Sequence, residues 1–177
     1  MLSEERQAKR WLAWPDALSL ARLPLAVVFL LVEDPVVRAT ALAAAATSDL
    51  LDGYLARRLG GSRLGVVFDP VADKLFMAAG FWVVLRSGLL NVFEIAAVLL
   101  RDIVAFVVFL TTVVLGRPTT LPARAGGKAV TVAQLLTLGA FLTGSDLVRP
   151  LAWATGAISL YAIADYTRVG LGSPHKE

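Results

Sequence analysis

The sequence predicts an all-α fold: an integral membrane bundle of six transmembrane helices, preceded by a helix lying along the membrane surface. Three observations carry that prediction. Of the 177 residues, 57% are hydrophobic and mean hydropathy is +0.70, an excess over the roughly half-apolar make-up of soluble domains. Six apolar segments recur along the chain, each about as long as a crossing of ~30 Å of hydrocarbon requires. Basic residues gather at alternate ends of those segments, as membrane topology demands.

The elements follow in order. From Ser3 to Trp14, the cations Arg6, Lys9 and Arg10 are followed by Trp11, Leu12 and Trp14. That pattern suits a surface helix whose charges meet anionic headgroups while its aromatics enter the interface. A frayed polar tail with two aromatic anchors is the plainer alternative. The first span covers Ala17–Val32 and stops at Asp34-Pro35; the second covers Val36–Leu59 and stops at Gly60-Gly61-Ser62. The third, Phe68–Leu85, ends at Ser87-Gly88, and the fourth, Val92–Leu115, at Gly116-Arg117-Pro118. A short fifth span, Ala129–Leu142, precedes Gly144-Ser145-Asp146, and the sixth, Leu151–Val169, follows Pro150. Each break is rich in residues that favour turns over helix. With no long linker between them, residues 1–177 are expected to form one membrane domain.

Charge placement sets the orientation. Arg57, Arg58, Arg63, Arg117, Arg124 and Lys128 fall on the side that also carries both termini, whereas the opposite side has only Arg38, Arg86 and Arg149. The positive-inside rule puts both termini and the Arg57–Arg63 loop in the cytoplasm of an inner or plasma membrane protein. The first ten residues are too polar for a cleavable signal peptide. The cations are scattered between apolar segments, which argues against a nucleic-acid partner.

Composition also narrows the chemistry. Cysteine is absent and His175, in the polar tail, is the sole histidine. Thiolate sites, histidine-based zinc sites and a Ser-His-Asp triad are therefore excluded from the fold. A metal here would be held by oxygen, which points to magnesium, manganese or calcium.

Oxygen donors are concentrated in one place. Asp49 and Asp52 are three residues apart near the end of the second span, and Asp69 and Asp73 are four apart at the start of the third. Each pair shares a helix face, and the turn from Arg57 to Gly65 brings the two faces together. Four unpaired carboxylates in low dielectric repel strongly; one or two divalent cations relieve that repulsion and leave positions for phosphate oxygens. All four lie toward the cytoplasmic face. Gly53 and Ala56, on the same face, leave a shallow trough for a bulky ligand, although small residues at this spacing also serve close helix packing. Arg57 offers a planar fork suited to phosphate, or acts with Arg58 as a topology signal. Together these residues describe a site for a diphosphate-bearing molecule.

The pattern D-x-x-D-G-x-x-A-R, a spacer, then G-x-x-x-D-x-x-x-D resembles the signature of the CDP-alcohol phosphatidyltransferase family. Asp49, Asp52, Gly53, Ala56, Arg57, Gly65, Asp69 and Asp73 occupy its fixed positions. The spacer between Arg57 and Gly65 is seven residues, one short of the family's usual length. Pro15 to Arg22 is similar to the P-N-x-x-[ST]-x-x-R opening of bacterial members, with Asp16 where asparagine is usual. Gly127-Lys128-x-x-Thr131-x-x-Gln134 resembles a later family element, and Arg101-Asp102 falls where members often carry an arginine–acid pair. Being adjacent, Arg101 and Asp102 leave the helix about 100° apart and need not pair with each other; each is expected to satisfy a polar partner in the bundle, in a structural role.

The resemblance implies six membrane helices, a homodimer, and transfer of a phosphatidyl group from CDP-diacylglycerol to an acceptor hydroxyl with release of CMP. It implies that Asp49, Asp52, Asp69 and Asp73 coordinate Mg2+ or Mn2+, as two ions, and that Asp73 is also the general base. Ser19, Arg22, Gly53, Ala56, Arg57 and Ser62 would contact the CDP portion. Arg124 and Lys128 could hold an anionic acceptor. Glycerol 3-phosphate is the expected acceptor; phosphatidylglycerol, as in cardiolipin synthesis, and inositol phosphate are the alternatives. Outside this class, a divalent-cation transporter would also place aspartates in helices, but no second copy of the aspartate pattern occurs in the C-terminal half.

Overall fold

The computed structural model describes residues 14–59, 65–115 and 125–172. The surface helix expected over Ser3–Trp14 lies, but for Trp14, outside the described residues. Within them the secondary structure is helical: α1 (Trp14–Leu31), α2 (Pro35–Leu59), α3 (Gly65–Arg86), α4 (Val92–Val114), α5 (Ala125–Leu142) and α6 (Val148–Gly172). The helices have 18 to 25 residues, about 27–38 Å at 1.5 Å per residue. They form two compact units, residues 1–83 and 84–177.

In the first unit α1 packs on α2. The break between them is built by local chemistry. Asp34 Oδ1 accepts from the backbone N–H of Val36 (2.8 Å) and Val37 (3.0 Å), capping α2, and Pro35 opens the helix where no donor is needed. Arg38 Nε donates to the Phe29 carbonyl (3.0 Å), satisfying an acceptor that the last turn of α1 leaves open, and its guanidinium sits 5.8 Å from the Phe29 ring centre. Phe29 is buried and meets Phe76 of α3 edge to face, with ring centres 5.9 Å apart. Ala26, Ala41, Leu42 and Ala45 fill the α1–α2 contact; small side chains let the two backbones approach.

In the second unit α6 packs against both α4 and α5. A Cβ added at Gly156 would lie 3.2 Å from Ala97 Cβ of α4, and one added at Gly126 of α5 would lie 3.2 Å from Ala162 Cβ of α6. Asn91 caps α4: its Oδ1 accepts from Phe93 N (2.9 Å) and Glu94 N (3.0 Å), while Glu94 Oε2 accepts from Asn91 N (2.8 Å), a capping box. Glu94 also pairs with Arg149 Nε at 3.0 Å, and Arg149 Nη2 donates to the Leu89 carbonyl (3.1 Å), joining the first turns of α4 and α6. Gly144, at φ +64°, ends α5 with Ser145 N bonding Ala140 O (2.9 Å) and Gly144 N bonding Phe141 O (3.1 Å), the paired closure that a left-handed glycine permits.

Among the described residues no helix is long and apolar enough to cross a membrane. Ionisable side chains interrupt the apolar runs: Arg22 in α1, Asp49 in α2, Asp73 and Lys74 in α3, Arg101 and Asp102 in α4. Large apolar side chains are nonetheless exposed along the helices, among them Leu31, Val36, Phe93, Val114 and Tyr161.

Candidate active site

The face that α1 turns toward α2 carries two polar residues three apart, Ser19 and Arg22, both buried. Arg22 is 2% exposed. An unpaired guanidinium at that depth would cost several kcal/mol, so its partners are part of its placement. Nε donates to Ser48 Oγ of α2 at 3.2 Å, and Nη2 lies 3.3 Å from Asp49 Oδ1. Ser48 in turn donates to the Ala45 carbonyl (2.8 Å), which fixes its rotamer. One buried cation thus binds α1 to two successive residues of α2. Neither the Arg22–Asp49 pair nor the part played by Ser48 was foreseen from sequence.

Asp49 itself stays open, with its side chain 49% exposed. Its second oxygen, Oδ2, carries no bond to the described residues. Asp73, in the first half of α3, has a side chain 29% exposed and lies 3.7 Å from Lys74 Nζ through Oδ2. Asp52, Gly53, Ala56 and Arg57 belong to α2 and Asp69 to α3, so both carboxylate pairs stand on helices at the expected spacing. The side chains of these five lie outside the described ones, as do Ser62 and Arg124 altogether. Among the described residues no three acidic side chains converge on one point.

The donor chemistry fits a hard divalent cation. The aspartates offer only oxygen, and Asp49, at a half-exposed position, keeps one oxygen unbonded among the described residues.

The element from Gly127 to Gln134 divides in two. Gly127 is buried and its carbonyl accepts from Thr131 Oγ1 (3.3 Å), while Lys128 is exposed on α5. Gln134, 1% exposed, donates through Nε2 to Asp102 Oδ2 and to the Val98 carbonyl (2.6 and 3.0 Å). Arg101 Nη1 donates to Asp102 Oδ1 at 3.1 Å. The two neighbours therefore pair with each other despite their diverging Cβ directions, because arginine's long side chain reaches across, and Asp102 finds a second polar partner in Gln134.

Comparison with known proteins extends this picture. The sequence profile described as CDP-alcohol phosphatidyltransferase matches residues 12–163. The chain is 32% identical over 168 residues to the CDP-diacylglycerol–glycerol-3-phosphate 3-phosphatidyltransferase of Escherichia coli strain K12, with 85% of each chain covered. The enzymes of the same name from Shigella sonnei strain Ss046 and Salmonella typhimurium strain LT2 match with the same identity and coverage. The matched span takes in Arg22 and its α2 partners, all four aspartates and the Lys128 element, and with most of its length accounted for in this way the chain belongs to the CDP-alcohol phosphatidyltransferase family.

Proposed function

We propose that this chain transfers a phosphatidyl group from CDP-diacylglycerol to the hydroxyl of glycerol 3-phosphate and releases CMP, a step of phospholipid biosynthesis. The observation that carries the reading is the aspartate pattern on two successive helices within the family span. Relatives whose names state this donor and this acceptor support it.

The chemistry is a single displacement. The acceptor hydroxyl oxygen bonds to the phosphorus that carries diacylglycerol, the bond from that phosphorus to the bridging oxygen breaks, and CMP departs with the electron pair. Asp73, in the general-base role, takes the hydroxyl proton; its side chain is 29% exposed. Asp49, Asp52, Asp69 and Asp73 would hold Mg2+ or Mn2+, in our reading two ions. Bound there, the cation would polarise the diphosphate and offset the charge on the departing CMP. Gly53, Ala56, Arg57 and Ser62 are assigned to the CDP portion. The family resemblance also assigns Ser19 and Arg22 to the CDP portion; both are buried on α1, and the pairing of Arg22 with Asp49 favours support of that carboxylate over direct contact. Arg124 and Lys128 are assigned to the acceptor phosphate, and the exposure of Lys128 on α5 favours that role.

In this reading residues 1–177 are one catalytic domain in the inner or plasma membrane, with six crossings and with termini and site on the cytoplasmic side. The exposed apolar side chains favour lipid around the helices, and the loop charges favour the orientation. Arg22, buried against Asp49, and the Arg101–Asp102 pair also account for charges that lower the hydropathy of α1 and α4 while being largely enclosed. A homodimer is proposed on family resemblance.

The test uses purified protein in detergent with CDP-diacylglycerol and Mg2+ or Mn2+, adding one acceptor at a time. CMP release with glycerol 3-phosphate is expected. Release with phosphatidylglycerol or inositol phosphate instead would overturn the acceptor; release with none of them would overturn the reaction.

A further inference from the structure

We propose that Arg22 is a positioning residue: anchored on Ser48, it holds Oδ1 of Asp49 so that Oδ2 stays turned outward for a divalent cation. The inference rests on the metal-holding role proposed for Asp49.

Burial separates this role from ligand contact. At 2% exposure Arg22 is shielded from any molecule that diffuses to the site, and its described arms are spent on Ser48 and Asp49. A guanidinium is planar, so bonds at Nε and Nη2 together fix its plane as well as its position. Ser48 is a firm anchor because it is buried and bonded to Ala45 O. Rigidity therefore passes from the α2 backbone through Ser48 and Arg22 to one oxygen of Asp49.

The pair is lopsided, and the asymmetry indicates its purpose. A buried ion pair that served stability alone would enclose both partners. Here the cation is enclosed while the carboxylate is 49% exposed, with one oxygen unbonded among the described residues. That is the arrangement of a metal-binding carboxylate oriented from behind, and loss of such an orienting group typically weakens metal affinity 10- to 100-fold.

Counter-charge and orientation make opposite predictions. If Arg22 only neutralised Asp49, removing its charge would tighten cation binding. If it orients Asp49, even a charge-conserving change would weaken binding, because lysine presents a single point charge that cannot hold Ser48 and Asp49 in one plane.

The experiment titrates the full-length protein in detergent micelles with Mn2+ alone, reading free Mn2+ by electron paramagnetic resonance. Wild type, Arg22→Lys, Arg22→Gln and Ser48→Ala are compared on monodisperse folded material, and KM for CDP-diacylglycerol is measured for each. Arg22→Lys is expected to raise the Mn2+ Kd about tenfold or more, with KM within about twofold of wild type. Ser48→Ala, which removes only the anchor, should raise Kd by a smaller factor in the same direction. Should the Arg22 variants fail to fold, the Ser48→Ala titration decides alone. Unchanged Kd in the variants beside normal Mn2+ uptake by wild type overturns the inference and leaves the metal site standing. Tighter binding in Arg22→Gln, or a raised KM with unmoved Kd, overturns it in favour of a counter-charge or a CDP contact. No Mn2+ uptake by wild type would instead sink the metal reading, and this inference with it.

Discussion

Each unit contains an arginine–aspartate pair, and the two pairs are finished differently. In the second unit Asp102 is 4% exposed and both its oxygens are taken, one by Arg101 and one by Gln134. In the first unit the arginine is enclosed, but Asp49, half-exposed, keeps an oxygen unbonded among the described residues. The same two residue types therefore make a closed fastening in one place and an open socket in the other. What distinguishes them is whether every acceptor is satisfied, since a buried polar group without a partner is costly and an exposed one can await a ligand.

If this contrast is right, substitutions in the open group should affect turnover and those in the closed group should affect folding. Asp73→Asn carries the largest expected effect: turnover should fall about 10²- to 10⁴-fold, the usual worth of a general base, with the thermal midpoint scarcely moved. A variant that still releases CMP at wild-type rates would remove Asp73 from the chemistry. Asp102→Ala should cost about 3–5 kcal/mol of stability by stranding Arg101 and Gln134. Denaturant titration would show this, while the surviving folded fraction should retain its KM for both substrates. A change in KM without loss of stability would move Asp102 from the closed group to the open one.

Smaller effects sharpen the comparison. Gly156→Val places side-chain atoms against Ala97, since a Cβ alone would already stand 3.2 Å away. The overpacking should cost about 1–3 kcal/mol, read as a lower thermal midpoint with kcat kept. Lys128→Ala has the mildest expected consequence, a KM for glycerol 3-phosphate raised about tenfold, as for loss of one charge-assisted bond. Its KM for CDP-diacylglycerol should not change, and an unaltered acceptor KM would exclude Lys128 from the acceptor pocket.

The helices were readable because their boundaries are written locally. Asp34-Pro35 and Ser87-Gly88 stop apolar runs with residues whose caps and turns form within a few positions, so α1 and α3 end where hydropathy and breakers expected. The start of α5 was read late, at Ala129 rather than Ala125, because Ala125-Gly126-Gly127-Lys128 has no strong apolar signal and Gly126 earns its place only by meeting Ala162 of a later helix. At the candidate site, the spacing of Asp49 with Asp52 and of Asp69 with Asp73 was visible because helical period is a local property. The clasp of Arg22 on Ser48 and Asp49 was not, since it joins two helices and a serine between Thr47 and Asp49 has no mark of its own. Polar residues facing inward from α1 and α2 at similar depth, Ser19, Arg22 and Ser48, were the available hint.

The close approach of α6 to its two neighbours at two glycines also has a mechanical side. Gly156 touches α4 through Ala97, and Ala162 touches α5 through Gly126, two points about 9 Å apart along one shaft. With backbones this close there is no compliant layer to absorb a twist, so a turn or slide of α6 drags α4 and α5 along with it. The helix behaves as a common axle: Lys128 and the Arg101–Asp102 pair, carried on different helices, must shift together or stay still together.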